Sequence, residues 1–196
     1  MGMARSGQIE DYLRQPRVQW MKSAYAIEAT PRADREQIEA ALLFRGAIVS
    51  AHGYIETSLA EFALRCSIMP EYLGLSRSFP YNHKSRLKYF QKVFSKEPLK
   101  PYGPIADKFL IRFDAGADRR HLMAHARMVV SSDWIVFEDF KTGEQDTIFC
   151  RRTPFTLRDL ERSAWDAVCL SRICQRLAGK LAEREILPPL EKLQRQ

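Results

Sequence analysis

The stretch DREQIEAALLFRGAIVSAHGYIETSLAEFALRCSIM, residues 34–69, decides the fold. Its apolar side chains recur at the three- and four-residue spacing of one face of an α-helix. Asp34 is placed to cap the first turn. The pattern therefore predicts one helix from Asp34 to about Met69. At about 1.5 Å per residue this helix is roughly 50 Å long, so it would be the backbone of a helical bundle.

Further helices are predicted downstream of this one. Gly116 is expected to end or bend one of them, because glycine weakens a helix interior. Thr156 is a good N-cap for the last helix, and Asp159 three residues later completes a pattern that resembles a capping box. The predicted helices cover residues 85–95, 104–116, 117–128 and 157–187.

The hydrophobic period then changes from about 3.6 to 2 in the segments WIVFEDF (134–140) and DTIFC (146–150). The short turn KTGEQ, residues 141–145, separates them. This arrangement predicts a β-hairpin that packs on the helices.

The predicted fold class is therefore all-α, an antiparallel helical bundle with an inserted β-hairpin before the C-terminal helix. Residues 1–33 are expected to form an N-terminal arm or short helices, at about 9–14 and 18–29. Residues 34–187 form the bundle, including the hairpin at 134–150, and residues 188–196 form a C-terminal tail.

The composition is that of a globular protein, with 45% hydrophobic and 28% charged residues among 196. This balance excludes a disordered chain. No apolar run approaches the ~18 residues of a membrane helix, and the N-terminus lacks the apolar core of a signal peptide. We therefore expect a cytoplasmic protein without a membrane partner. The net charge of +7 is compatible with a polyanionic partner such as RNA.

The segment RRHLMAH, residues 119–125, is the strongest candidate for chemistry. His121 and His125 are four residues apart and would share a helix face. Histidine exchanges protons near neutral pH, and arginine binds a phosphate through two parallel hydrogen bonds. A base that deprotonates the 2′-OH and a cation that stabilises the phosphate suffice for RNA cleavage without a metal.

This segment resembles the HEPN family of small helical bundles, many of which carry an R-x(4 to 6)-H motif. Arg120 matches the arginine, His121 the polar position after it, and His125 the histidine. The family often has Asn after the arginine, and His121 at this position leaves the catalytic detail open. The resemblance implies a homodimer with both motifs facing one cleft and ribonuclease activity in many members. Some members are toxins, which have a cognate antitoxin, or act in phage defence.

We predict a metal-independent endoribonuclease of HEPN type that needs no cofactor. Arg120 would stabilise the scissile phosphate, His125 would act as general acid or base, and His121 would assist. Three further cations, taken from the same segment and from a basic stretch near residue 85, would bind substrate phosphates: Arg119, Lys84 and Arg86.

Two other places in the chain fit the motif spacing. Six residues separate Arg45 from His52, and five separate Arg77 from His83. Arg120 is preferred because a polar residue follows it. Glu56, on the long helix, would either orient a histidine or repel substrate.

Three other interpretations of the segment stay open. Arg119, Arg120 and His121 can form a solvated face that has no function. The spacing of Asp114, Asp118, His121 and His125 suits a metal, although the neighbouring arginines argue against a cation. The helix can also belong to a non-catalytic HEPN-like module that binds RNA, a nucleotide or a protein.

Overall fold

The computed structural model describes residues 27–29, 34–76, 78–142 and 148–189. These residues contain four α-helices, α1 (Arg35–Ser67), α2 (His83–Val93), α3 (Gly103–His125) and α4 (Leu157–Glu183). They also contain four strands, β1 (Ile27–Ala29), β2 (Arg127–Val130), β3 (Ile135–Thr142) and β4 (Ile148–Phe155). None of the described helices is long and apolar enough to cross a lipid bilayer.

The strands form one sheet in the order β1-β2-β3-β4. Strands β2, β3 and β4 are antiparallel neighbours, and β1 pairs parallel to β2. The predicted hairpin is confirmed as β3 and β4, with Phe140 opposite Cys150. The second strand is longer than predicted, because it continues to Phe155.

The all-α class is wrong, since a mainly helical chain with a three-stranded antiparallel sheet before its last helix is α+β. The helix predicted through Met128 ends at His125, and Arg127–Val130 is a strand. Its backbone pairs with both β1 and β3, and Met128 and Val130 are buried. Tertiary pairing therefore overrides the local helical pattern.

Part of the segment predicted to be helical near the N-terminus is also a strand. Residues 27–29 belong to a strand, not to the short helix expected over 18–29. The helix expected over 9–14, the remainder of the N-terminal arm, and residues 190–196 of the C-terminal tail lie outside the described residues. Most of the predicted turn, at 143–147, does so as well.

The helix predictions are otherwise confirmed in their main features. Helix α1 begins with a hydrogen bond from Gln37 N to Asp34 Oδ1 of 2.6 Å. Helix α4 begins with a capping box, in which Asp159 N donates to Thr156 Oγ1 at 3.1 Å and Thr156 N donates to Asp159 Oδ2 at 3.2 Å. Helix α3 is continuous through Gly116, so the break expected there is absent.

The chain divides into two compact units. The described residues within 1–46 and 121–164 make the sheet unit, and those within 47–120 and 165–196 make the helical unit. The helical unit has an apolar core from all of its helices; its fully buried members include Ile55, Phe90, Leu99, Phe113 and Leu181.

Arg45 stabilises the end of helix α3 inside the sheet unit. Its Nε donates to the Met123 carbonyl at 2.7 Å, and its Nη2 donates to the Ala126 carbonyl at 3.1 Å. Carbonyls at a helix C-terminus lack partners within the helix, and a cation there is favourable to the helix dipole. The guanidinium also lies over the ring of Phe137. Arg45, the arginine of the alternative Arg45–His52 match, therefore has a structural role.

We expect Arg45→Met to lower the free energy of unfolding by about 2 kcal/mol, because two carbonyls lose a charged donor. Urea unfolding followed by circular dichroism measures the loss. Arg35→Met is the matched control on the same helix. It removes only an exposed i,i+4 ion pair with Glu39, and should cost under about 0.5 kcal/mol. Equal losses in the two variants would contradict the capping role.

Candidate active site

The four histidines fall into two groups. His52, on α1, and His83, on α2, belong to the helical unit. His121 and His125, both on α3, belong to the sheet unit. The histidines of the first group interact with charged side chains that the predicted motif does not include.

His52 lies against the backbone of α3. It is only 4% exposed, and its ring stacks on Phe113 with 5.7 Å between the ring centroids. A Cβ added to Gly116 would be 2.7 Å from His52 Cε1 and 2.9 Å from Nε2. Glycine is therefore required at 116 because the imidazole occupies the space of a side chain.

Burial lowers the pKa of His52, since the charged ring would lose its hydration. The negative charge of Glu56 opposes this shift, and the positive charges of Arg120, His83 and Arg119 reinforce it. His52 is therefore neutral at pH 7. The same interactions place all four charged groups within electrostatic reach of one ring.

Glu56 lies one helical turn after His52 on α1 and pairs with Arg120, with 3.2 Å between Oε2 and Nη2. Phe113, Gly116 and Arg120 follow the i, i+3, i+7 spacing of a single face of α3. Both side chains of the pair are 31% exposed. Among the described residues, the only buried side-chain nitrogen or oxygen atom without a hydrogen-bond partner is Arg120 Nε.

His83 is the second histidine of the helical unit. Its Nε2 is 3.0 Å from Asp114 Oδ1, and its ring lies 4.9 Å from that of Phe113. Both histidines thus contact the same phenyl ring. We call His52, Glu56, His83, Asp114 and Arg120 the polar cluster.

Arg86 holds the start of α2 against α1, next to this cluster. It is buried, and its guanidinium donates to the carbonyls of Pro80, Glu56 and Tyr81 at 3.3, 3.1 and 3.0 Å. These bonds tie the segment before His83 to α1. We predicted that Arg86 binds substrate, but its burial and its bonds to carbonyls favour a structural role.

The remaining predicted site residues are exposed. The rings of His121 and His125 are 4.7 Å apart. The hydrogen bond from Lys141 lowers the pKa of Asp139 on β3, and the charges of Arg151 and His121 lower it further. Within the described residues, Arg119 and Lys84 are exposed and make no side-chain hydrogen bond or ion pair.

The metal alternative gains no support. Asp114 is paired with His83. In the part of the chain that the structure describes, no group of three or more His, Cys, Asp or Glu side chains is arranged to hold a metal ion.

A separate apolar cleft of about 350 Å³ lies in the helical unit. The Arg65–Glu61 ion pair, at 2.7 Å, is in its lining, but no histidine is. It is lined mainly by apolar side chains, including Tyr54, Phe62, Phe109, Leu110, Leu177 and Leu181. Apart from this ion pair, its lining contains no charged side chain.

The polar cluster joins a cation to two imidazoles and two carboxylates, which are the groups needed to bind a phosphate and to move a proton. His52 and Glu56 could have been linked from the sequence, since they are four residues apart on one predicted helix. Nothing in the sequence links His83 with Asp114, which are 31 residues apart.

No family model, no curated protein and no solved structure matches this chain significantly. The HEPN resemblance stays a prediction from the motif.

Gly116→Ala should destabilise the protein, because its Cβ collides with the His52 ring. Gly53→Ala is the matched control: it lies within α1, and a Cβ there has no neighbour within 4 Å. The control should gain up to about 1 kcal/mol from helix propensity. Thermal and urea unfolding of both variants give the comparison. A Gly116→Ala protein as stable as the control would refute the close approach.

The stability of the protein should fall as the pH is lowered from about 7.5 to 5.5. A histidine with a lowered folded pKa stabilises the protein fully above its unfolded value of 6.5, and this contribution is lost as the pH falls through the folded pKa. One proton contributes at most about 1.4 kcal/mol per pH unit. Urea unfolding across this range should show a shallower slope for His52→Gln, and an identical slope would contradict the assignment.

Proposed function

We propose that this chain is a metal-independent endoribonuclease of HEPN type. Arg120 binds the scissile phosphate and stabilises the charge that develops on it. His125 acts as general acid or base, and His121 assists it. The products are a 2′,3′-cyclic phosphate and a 5′-hydroxyl end.

The observation that carries this proposal is the state of Arg120. Its guanidinium is half-buried, so it interacts with an anion more strongly than a fully solvated arginine does. Glu56 accepts a hydrogen bond from Nη2 and so orients the guanidinium, whose Nε is buried and has no hydrogen-bond partner among the described residues. The part of this oriented side chain that is exposed can donate hydrogen bonds to a phosphate oxygen.

The position of His125 supports the proposal. Arg120 and His125 lie on the same uninterrupted helix, so the motif has the regular backbone that its spacing assumes. His125 is exposed, and a general acid or base must reach a proton on the substrate. Arg119 and Lys84 are exposed cations that suit neighbouring phosphates.

The finer fold assignment belongs to the same proposal. We infer an antiparallel HEPN-like bundle that works as a homodimer, because one Arg–His pair supplies half of a two-sided cleft. The resemblance also suggests a toxin with a cognate antitoxin, or a defence effector.

Wild-type protein at micromolar concentration should cleave a mixed RNA pool in the presence of EDTA. Arg120→Ala and His125→Ala should each lower the rate by about 10²-fold or more, since each removes a group that acts in the transition state. Denaturing gels measure the rate, and 3′ ends that resist phosphatase until acid opens the ring identify the cyclic phosphate.

Arg112→Ala is the matched control, because Arg112 is an exposed arginine on the same helix as Arg120. It should cleave at the wild-type rate. Cleavage that needs added metal, or a folded wild type that cuts no RNA, would refute the proposal and favour a non-catalytic binding module.

A further inference from the structure

We propose that His83, held by Asp114, is the general base that activates the 2′-hydroxyl. The inference rests on the proposed function, and it adds to the site a residue pair that lies outside the preferred motif match, Arg120 to His125. The substrate is an RNA phosphodiester with a free 2′-OH.

The hydrogen bond between His83 and Asp114 orients the imidazole. A carboxylate can only accept a hydrogen bond, so Nε2 carries the proton at its 3.0 Å distance from Asp114 Oδ1. In the neutral form of the ring, the other nitrogen, Nδ1, has a free lone pair that can accept a proton. A histidine oriented by a carboxylate in this way is the arrangement that general bases use in hydrolases.

His83 is accessible enough for this role. Its side chain is 25% exposed and that of Asp114 is 60% exposed, so substrate can reach the pair. His52, in contrast, is 4% exposed and packed on Gly116. His52 is therefore the positioning residue of the cluster.

The base and the proposed phosphate ligand belong to the same polar cluster. Phe113 contacts the rings of His52 and His83, and Arg120 acts electrostatically on the His52 ring. His121 and His125 make no hydrogen bond to a carboxylate within the described residues. Among the described residues, His83 is the one histidine with a hydrogen bond to a carboxylate.

The reaction balances as an internal transfer. His83 Nδ1 takes the proton of the 2′-OH, and the oxygen lone pair forms a bond to the adjacent phosphorus. The bond from phosphorus to the 5′ oxygen breaks with its electron pair. That oxygen takes a proton from water, and His83 returns its proton to water. Arg120 stabilises the negative charge on the phosphate during the exchange.

The test measures kcat and KM on a fluorescent RNA oligonucleotide in EDTA, with an all-2′-deoxy oligonucleotide as substrate control. His83→Ala should lower kcat by about 10²-fold or more and change KM little. Imidazole added to His83→Ala should replace the missing base. On a logarithmic scale, it should restore at least about a tenth of the kcat that this variant loses. Asp114→Asn should lower kcat at least about tenfold with unchanged thermal stability.

Asp107→Asn is the matched control, since Asp107 is an exposed carboxylate on the same helix as Asp114. It should leave kcat unchanged. If His83→Ala unfolds, Asp114→Asn decides alone, and wild-type kcat in that variant overturns the inference.

The two proposals fail in different ways. A folded wild type that cuts no RNA removes both. Wild-type cleavage that depends on His125 but is unchanged in His83→Ala removes this inference and leaves the proposed function. Loss of kcat without imidazole rescue, together with an unchanged Asp114→Asn, also overturns it.

Discussion

The helical unit depends on the contact between the His52 ring and the α3 backbone at Gly116. Any side chain at 116 would enter the space of the imidazole. The His52 ring can therefore approach the α3 backbone this closely only because Gly116 has no Cβ. The contact also stacks the ring on Phe113, which belongs to the buried core. One turn further along α1, the same geometry brings Glu56 to Arg120. A single glycine thus couples the packing of the core to the geometry of the polar cluster.

This coupling has an energetic cost that a purely structural core would avoid. Burial keeps His52 neutral, and a half-buried arginine with an unpartnered Nε would be more stable in water. Groups of this kind concentrate at functional sites, because the environment that shifts a pKa also strengthens interactions with a ligand. Glu56 offsets part of the positive charge and holds Arg120 in place.

Three arginines show why a basic residue cannot be given a role from its place in the sequence. Arg45 and His52 fit the R-x(4 to 6)-H spacing, and Arg86 lies in a basic stretch. Both arginines nevertheless donate their hydrogen bonds to backbone carbonyls. Arg120 has a carboxylate partner and one donor left over. Each of the three is surrounded differently although all are charged at pH 7. The partners of Arg45 and Arg120 lie 64 to 81 residues away in the chain.

The sequence by itself determined the helices, the capping box at Thr156 and the β3–β4 hairpin, because periodicity, caps and turns are local properties. It did not determine β1, β2 or the α+β class, since these strands exist through pairing between distant segments. The sequence predicted that Gly116 ends or bends a helix. In the structure the helix is continuous, and a glycine is needed at 116 because the His52 ring packs against it. Only the tertiary structure brought His83 to Asp114, because a hydrogen bond across 31 residues leaves no local pattern.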